Sequence, residues 1–511
     1  MRTDAHWKQI GLYPHHGICL PLSALRSRKS CGIGEFLDLL PLIDWCSSLN
    51  LDCIQFLPLN DSGDDPSPYN ALSSCAIDPV YLSLADLPDK GPLQEELEAF
   101  IPFTQTQRIP ILEVKRQKSK WLYKYYQRTF SSLSKTSVYQ DFVKQHPWLE
   151  TYALFKSLKD EYGWKEWKDW PLEYRTPNLK QMSEKRDSID FQCFLQFHCF
   201  NQLSKVRSHA EEKKIFLKGD IPILLSPDSA DVWAHPSFFK QDLAAGAPPD
   251  FYNPLGQKWG FPLFDWDAMR HSGFTWWKRR LQVVENFFHI YRIDHVVGFF
   301  RIWAIPAGKK PTEGFFVPSD SSLWPGQGRE ILEMMIDASP LLPIAEDLGT
   351  IPPFVRPILK ELGICSTKVV RWERRWQGDK SYIPYSEYEP FSMTTVSTPD
   401  SDTLQLWWKK YPDESIPFAH FKKWTYQPRL SSEQQLEILR DAHHTPSYFH
   451  INLLQEYLAL FPELVWPDPE DERINIPGTL LPTNWTYRFR PFIEDIITHK
   501  PLAEAFHKIL K

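Results

Sequence analysis

Four short apolar runs, each followed by a turn-rich segment, constrain what this chain can fold into: LDCIQFLPLN (51–60), KIFLKGDIPILL (214–225), FFHIYRID (287–294) and PLLPIAEDLG (340–349). Helix-like stretches separate them. Strands alternating with helices predict parallel β/α units. Ser432 and Gln435, ahead of LEILRDA, have the spacing of a capping box at one such helix. In a β/α barrel the chemistry gathers where strands end, at the C-terminal face. Each of the last three runs carries a carboxylate near that end: Asp220, Asp294 and Glu346.

Residues from about 88 to 186 break the pattern. EVKRQKSKWLYKYYQRTF is charged and helical, with Trp121, Leu122, Tyr125 and Tyr126 on one face. A barrel needs only about 250 residues, so a mostly helical inserted subdomain is expected over 88–186. Its lysine run reads as a solvated helix face rather than an anion site.

The remaining classes of function are narrowed by what the 511 residues lack. A net charge of −6, with both signs mixed along the chain, leaves no footprint for nucleic acid. No apolar run has the length of a membrane span, and MRTDAHWKQIGLYP lacks the apolar core of a signal peptide. The eight cysteines form no CxxC pair and read as reduced thiols, so a cytoplasmic protein without membrane partners is expected. His15–His16 and His443–His444 lack HExxH spacing and read as surface or packing residues. There is no P-loop, CGIGEF lacks the third glycine of a dinucleotide fingerprint, and no serine sits in a GxSxG elbow. Cys193 and Cys199 flank FLQFH on an apolar helix and read as core. No metal and no cofactor are expected.

The run YRIDHVVGFFRIW (291–303) is the most informative. In a strand, residues two apart project to the same face, so Arg292 and Asp294 point together. Alone, such a pair is most simply a buried salt bridge. Glu346, at an equivalent strand end, makes a facing carboxylate pair, the equipment of glycoside chemistry. Arg292 would hold Asp294 ionised, as a nucleophile requires, while Glu346 in a drier place would keep its proton and act as the acid. Aromatic residues, 14% of the chain, could supply platforms for sugar faces, although most of the 21 tryptophans and the phenylalanines read as core.

The motifs resemble, in order and nearly end to end, the amylomaltase (disproportionating enzyme) family of 4-α-glucanotransferases, glycoside hydrolase family 77. SCGIGEF (30–36), SPYNALS (67–73), KGDIPILLSPDSADVWAHPSFF, GAPPDFYNPLGQKWGFPLFDW, YRIDHVVGFFRIWAIP, IAEDLG and INIPGTLLPTNWTYR (474–488) carry the resemblance, and 88–186 contributes little to it. It implies a TIM (β/α)8 barrel over 1–511 with large inserted subdomains and no separate C-terminal β-sandwich, and a loop insertion at 226–265 covering the acceptor side. It also implies roles: Asp294 as nucleophile, Glu346 as general acid/base, Arg292 orienting the nucleophile. Asp220 and Tyr69 would line the subsite next to the cleaved bond. Trp259 and Asp250 belong to the covering loop.

The third carboxylate departs from the pattern. Where the family has Thr-His-Asp, this chain has STPDSDTLQLWW, so Asp400 takes the aspartate's place and Pro399 replaces the histidine. That would remove a hydrogen bond to the donor sugar, worth about 1–3 kcal/mol if its partner stays unpaired. Asp402 rivals Asp400 if the loop is shifted. The activity implied is retaining transfer of an α-1,4-glucan segment to the 4-hydroxyl of glucose or another glucan. Maltooligosaccharides, glucose and glycogen or starch-like glucan would be its substrates. A glucan hydrolase, or a glucan-binding protein with weakened catalysis, are the alternatives.

Overall fold

The structure is a computed structural model that describes residues 1–249 and 254–511. Eight strands form its centre: β1 (His15–Leu20), β2 (Cys53–Phe56), β3 (Phe216–Ile221), β4 (Ile290–Ile293), β5 (Leu342–Ala345), β6 (Ser366–Val369), β7 (Ser392–Thr395) and β8 (Phe449–Leu453). Consecutive strands pair in parallel except β5 and β6, and β8 pairs with β1. The two remaining edges meet where Ile344 bridges Cys365, and the Ala345 N–H donates to the Cys365 carbonyl at 2.8 Å. The ring therefore closes as a (β/α)8 barrel. No strand follows β8 among the described residues.

The four apolar runs became β2, β3, β4 and β5. These strands are covered on both faces, which is why they read as continuous rather than alternating hydrophobic stretches. Gly219 shows how close the outer packing is: a Cβ there would stand 2.4 Å from the Phe288 ring. The other four strands carry more polar sequences, HHGICL, STKV, SMTT and FHINL. Their buried hydroxyls pair across the barrel wall, Thr394 Oγ1 lying 2.7 Å and Ser392 Oγ 2.6 Å from Ser447 Oγ.

Two excursions above the barrel build a second, four-stranded antiparallel sheet. Strands Phe239–Ala247 and Gln257–Phe264 come from the β3–β4 connection; Ile302–Pro306 and Phe315–Val317 follow β4. The 226–265 segment thus holds a β-hairpin where the sequence suggested only loop. Pairing of Phe239–Ala247 with Ile302–Pro306 supplies a partner that local sequence cannot reveal.

Between β2 and β3 lie the helices Ile111–Leu133, Ser137–Gln145 and Leu149–Glu161. Trp121, Leu122, Tyr125 and Tyr126 are all buried. The lysine run is not simply a solvated face. Lys118 is 1% exposed and donates to Glu35 Oε1 at 2.6 Å and to the Val80 and Leu82 carbonyls at 2.6 and 2.8 Å. Spacing alone cannot tell a lysine that reaches an acid in another segment from one that meets water.

Helix Ser432–His443 is capped differently from the sequence expectation. Its capping box is Ser431 with Gln434, one residue earlier than the sequence spacing suggested. Gln435 is unavailable because it is buried and donates to the Glu456 carbonyl at 2.8 Å. All eight cysteines are free and buried. Among the described residues no helix is long and apolar enough to cross a membrane.

Candidate active site

Asp220 lies near the end of β3, Arg292 in β4, and Asp294 and Glu346 directly after β4 and β5. The three carboxylates converge on the Arg292 guanidinium at one end of the barrel. Its Nη1 is 2.9 Å from Asp220 Oδ1 and 2.9 Å from Asp294 Oδ1, and its Nη2 is 3.8 Å from Glu346 Oε2. Burial alone would lower the arginine's pKa, but the carboxylates around it raise it well above its ordinary value. It is a fixed cation. Tyr69, from the loop after β2, donates its hydroxyl to Asp220 Oδ2 at 2.7 Å, and its ring packs 5.3 Å from that of Trp485.

The carboxylate environments differ. Glu346 is pushed up to about 7, chiefly by burial and also by the nearby Asp294 charge. Arg292 and two backbone donors oppose that shift. These donors are His295 N–H to Oε2 at 2.8 Å and Leu348 N–H to Oε1 at 3.0 Å. Asp294 instead receives the direct contact of the guanidinium. A carboxyl that holds its proton near neutrality beside one in contact with a cation is an acid–nucleophile arrangement.

His295 supplies a feature that sequence reading missed. It has φ of 45°, the left-handed region, and this turn aims its N–H at Glu346. Its imidazole is held neutral, its pKa lowered to about 4 by burial. Trp259 stands edge-on to that ring, centroids 5.0 Å apart, half-buried and with its indole N–H on Gln257 Oε1 at 3.0 Å. The second sheet therefore hangs Trp259 against His295, the residue that follows Asp294. Asp250, expected on the same segment, lies outside the described residues.

Asp400 sits in the loop after β7 and is exposed. The protein crowding it raises its carboxyl, with the Asn475 amide opposing. Asn475 Nδ2 donates to Asp400 Oδ1 at 2.6 Å. Asp402 is buried and differently employed: Arg473 pairs with its carboxylate and Arg371 donates to its carbonyl at 2.7 Å. Of the two rivals, Asp400 is thus exposed, and Asp402 is buried. Asn475 was hidden in the sequence because it is 75 residues from its partner; its only signal was membership of the INIPG motif. No cluster of metal-ligating side chains occurs among the described residues.

A family model described as 4-alpha-glucanotransferase matches residues 20–494. The 4-alpha-glucanotransferase of Chlamydia caviae is 44% identical over 514 residues, covering 98% of this chain and 96% of its own. That of Chlamydia pneumoniae is 42% identical, covering 99% and 97%. An amylomaltase from Streptococcus agalactiae, solved in complex with acarbose, superposes with a TM-score of 0.81 at 22% identity over 97% of this chain and 98% of that one.

Proposed function

This chain belongs to the 4-alpha-glucanotransferase family, an enzyme family, and from that premise we propose which residues perform the transfer and on what. Asp294 attacks the anomeric carbon of an α-1,4-linked glucan while Glu346 protonates the departing oxygen. The reducing-end fragment leaves and a covalent glycosyl–Asp294 ester remains. Glu346, now ionised, then removes the proton from the 4-hydroxyl of an incoming glucose or glucan, which attacks the ester and restores both residues. The net configuration is retained, and one glycosidic bond is exchanged for another. Atoms and charge balance without an added cofactor.

Arg292 holds Asp294 aimed and compensates Asp220 across the same guanidinium. Tyr69 and Asp220 frame the sugar beside the cleaved bond, and Asp400, steadied by Asn475, binds its hydroxyls. Trp259 covers the acceptor side, so the described part of 226–265 works as a lid over the barrel mouth and 88–186 as an inserted helical subdomain. A sugar acceptor beats water to the intermediate when such a cover limits solvent access. The observation that carries this reading is the convergence of Asp220, Asp294 and Glu346 on one guanidinium at the strand ends. Maltooligosaccharides and glucose are the substrates, with glycogen or starch-like glucan as larger donors. Eight buried free thiols suit a cytoplasmic setting.

Trapping tests the assignment. Incubation with a 5-fluoro-maltosyl fluoride should leave an adduct on the peptide containing Asp294. Labelling of another carboxylate, Asp220 or Asp400, would overturn it.

A further inference from the structure

Arg280, on the helix Thr275–Val284, is a buried cation that makes no hydrogen bond and no ion pair among the described residues. It is 3% exposed, and its Nη1 is sealed from solvent. Its guanidinium carbon lies 5.0 Å from the Trp277 ring and 5.7 Å from that of Trp276. Burial lowers its pKa, but only to about 10, so it stays charged at neutral pH. A buried charge left unpaired is expensive.

The nearby carboxylates, Asp231 foremost, favour that charge from a distance but accept their hydrogen bonds from other groups. Asp231 accepts from Ser74 Oγ at 2.6 Å, Ser74 N–H at 2.8 Å and Trp276 Nε1 at 2.8 Å. Asp220 turns its carboxylate to Arg292 and Tyr69. Arg280 instead faces a cavity of about 20 Å³ behind β3, whose other polar lining comes from Asn60, Ser74 and Asp220, and whose remainder is apolar. That volume suits one guest of roughly water size. It is too small for sulfate or phosphate.

We propose that this cavity binds a single small monovalent anion, of the size of chloride, held by the Arg280 guanidinium. The anion joins the helix Thr275–Val284 to the 59–77 segment, which also carries Tyr69. Its occupancy would stiffen the loop that presents Tyr69 to Asp220.

The test uses the full-length protein and does not depend on the sugar chemistry. Melting temperature is measured while sodium chloride replaces sodium gluconate at constant ionic strength. A saturable rise is expected, and chloride at ten times its Kd should raise the folded-to-unfolded ratio about elevenfold. Bromide should substitute and sulfate should not. Arg280→Met should lose the dependence. Should that variant fail to fold, wild-type crystals grown in sodium bromide decide, through an anomalous peak beside the guanidinium. Identical melting curves in chloride and gluconate, or water in place of bromide in the cavity, would overturn the proposal.

Discussion

At the scale of single residues, the proposed transfer requires Glu346 to be protonated when it meets substrate. Its carboxyl is held at about 7, so glycosylation should slow as pH rises through that value, visible as the alkaline limb of kcat/KM. Glu346→Gln should lower turnover by about 10²–10⁴-fold and remove that limb. The same group gives a stability sign. Its folded pKa is raised, so its contribution is full below the unfolded value near 4.5 and is lost as pH rises toward 7. The Gln variant should therefore gain stability relative to wild type at pH 8 but not at pH 4. Tyr69→Phe removes a hydrogen bond to a charged acceptor, worth about 1.5–3 kcal/mol, and should cost about 10–100-fold in kcat/KM. The sequence could disclose Arg292, Asp294 and Glu346 because strand periodicity and strand ends are local properties. It could not disclose Asn475 or the turn at His295, because a tertiary contact and a positive φ leave no periodic trace.

At the scale of elements, the helix Ile111–Leu133 is pinned to the barrel by Lys118 reaching Glu35. Both are nearly fully buried, at 1% and 3% side-chain exposure. Removing one partner of such a pair strands the other's charge, so Lys118→Met should cost about 3–5 kcal/mol by urea denaturation. The double variant with Glu35→Leu should recover much of that loss. Equal losses in the single and double variants would mean the pair is not what anchors the helix. The strands divide in the same way as the residues. Apolar β2 to β5 were legible, whereas β6 and β7, written STKV and SMTT, bury hydroxyls whose partners lie on other segments. Local propensity has nothing to say about a serine satisfied across a barrel.

At the scale of the whole molecule, β1 and β8 and their neighbouring segments bring His16 and His443, each from an adjacent pair in the sequence, together with His450. His16 Nδ1 and His443 Nδ1 lie 2.9 Å apart, His443 Nε2 meets the Tyr457 hydroxyl at 2.6 Å, and the His16 and His450 rings stack at 5.0 Å. Facing ring nitrogens need one donor and one acceptor, so protonating both breaks the contact. Burial lowers His16 and His450 to about 4 and His443 well below its ordinary value. Their neutral forms therefore stabilise the fold fully above about 6.5, and this is lost as pH falls toward 4. The slope approaches about 1.4 kcal/mol per pH unit for each histidine. Urea midpoints between pH 7 and pH 5 should fall accordingly, and His16→Gln should flatten the curve.

The order of the barrel strands matters more than any one of them, since it gathers Asp220, Arg292, Asp294 and Glu346 from three consecutive strands to one mouth. The most direct test of that gathering as a transfer site is to incubate wild type and Asp294→Asn with maltotriose alone and separate the products by length. Wild type should release glucose together with a ladder of longer maltodextrins, and the Asn variant should release neither. A ladder from the Asn variant, or glucose and maltose without longer chains from wild type, would contradict the account.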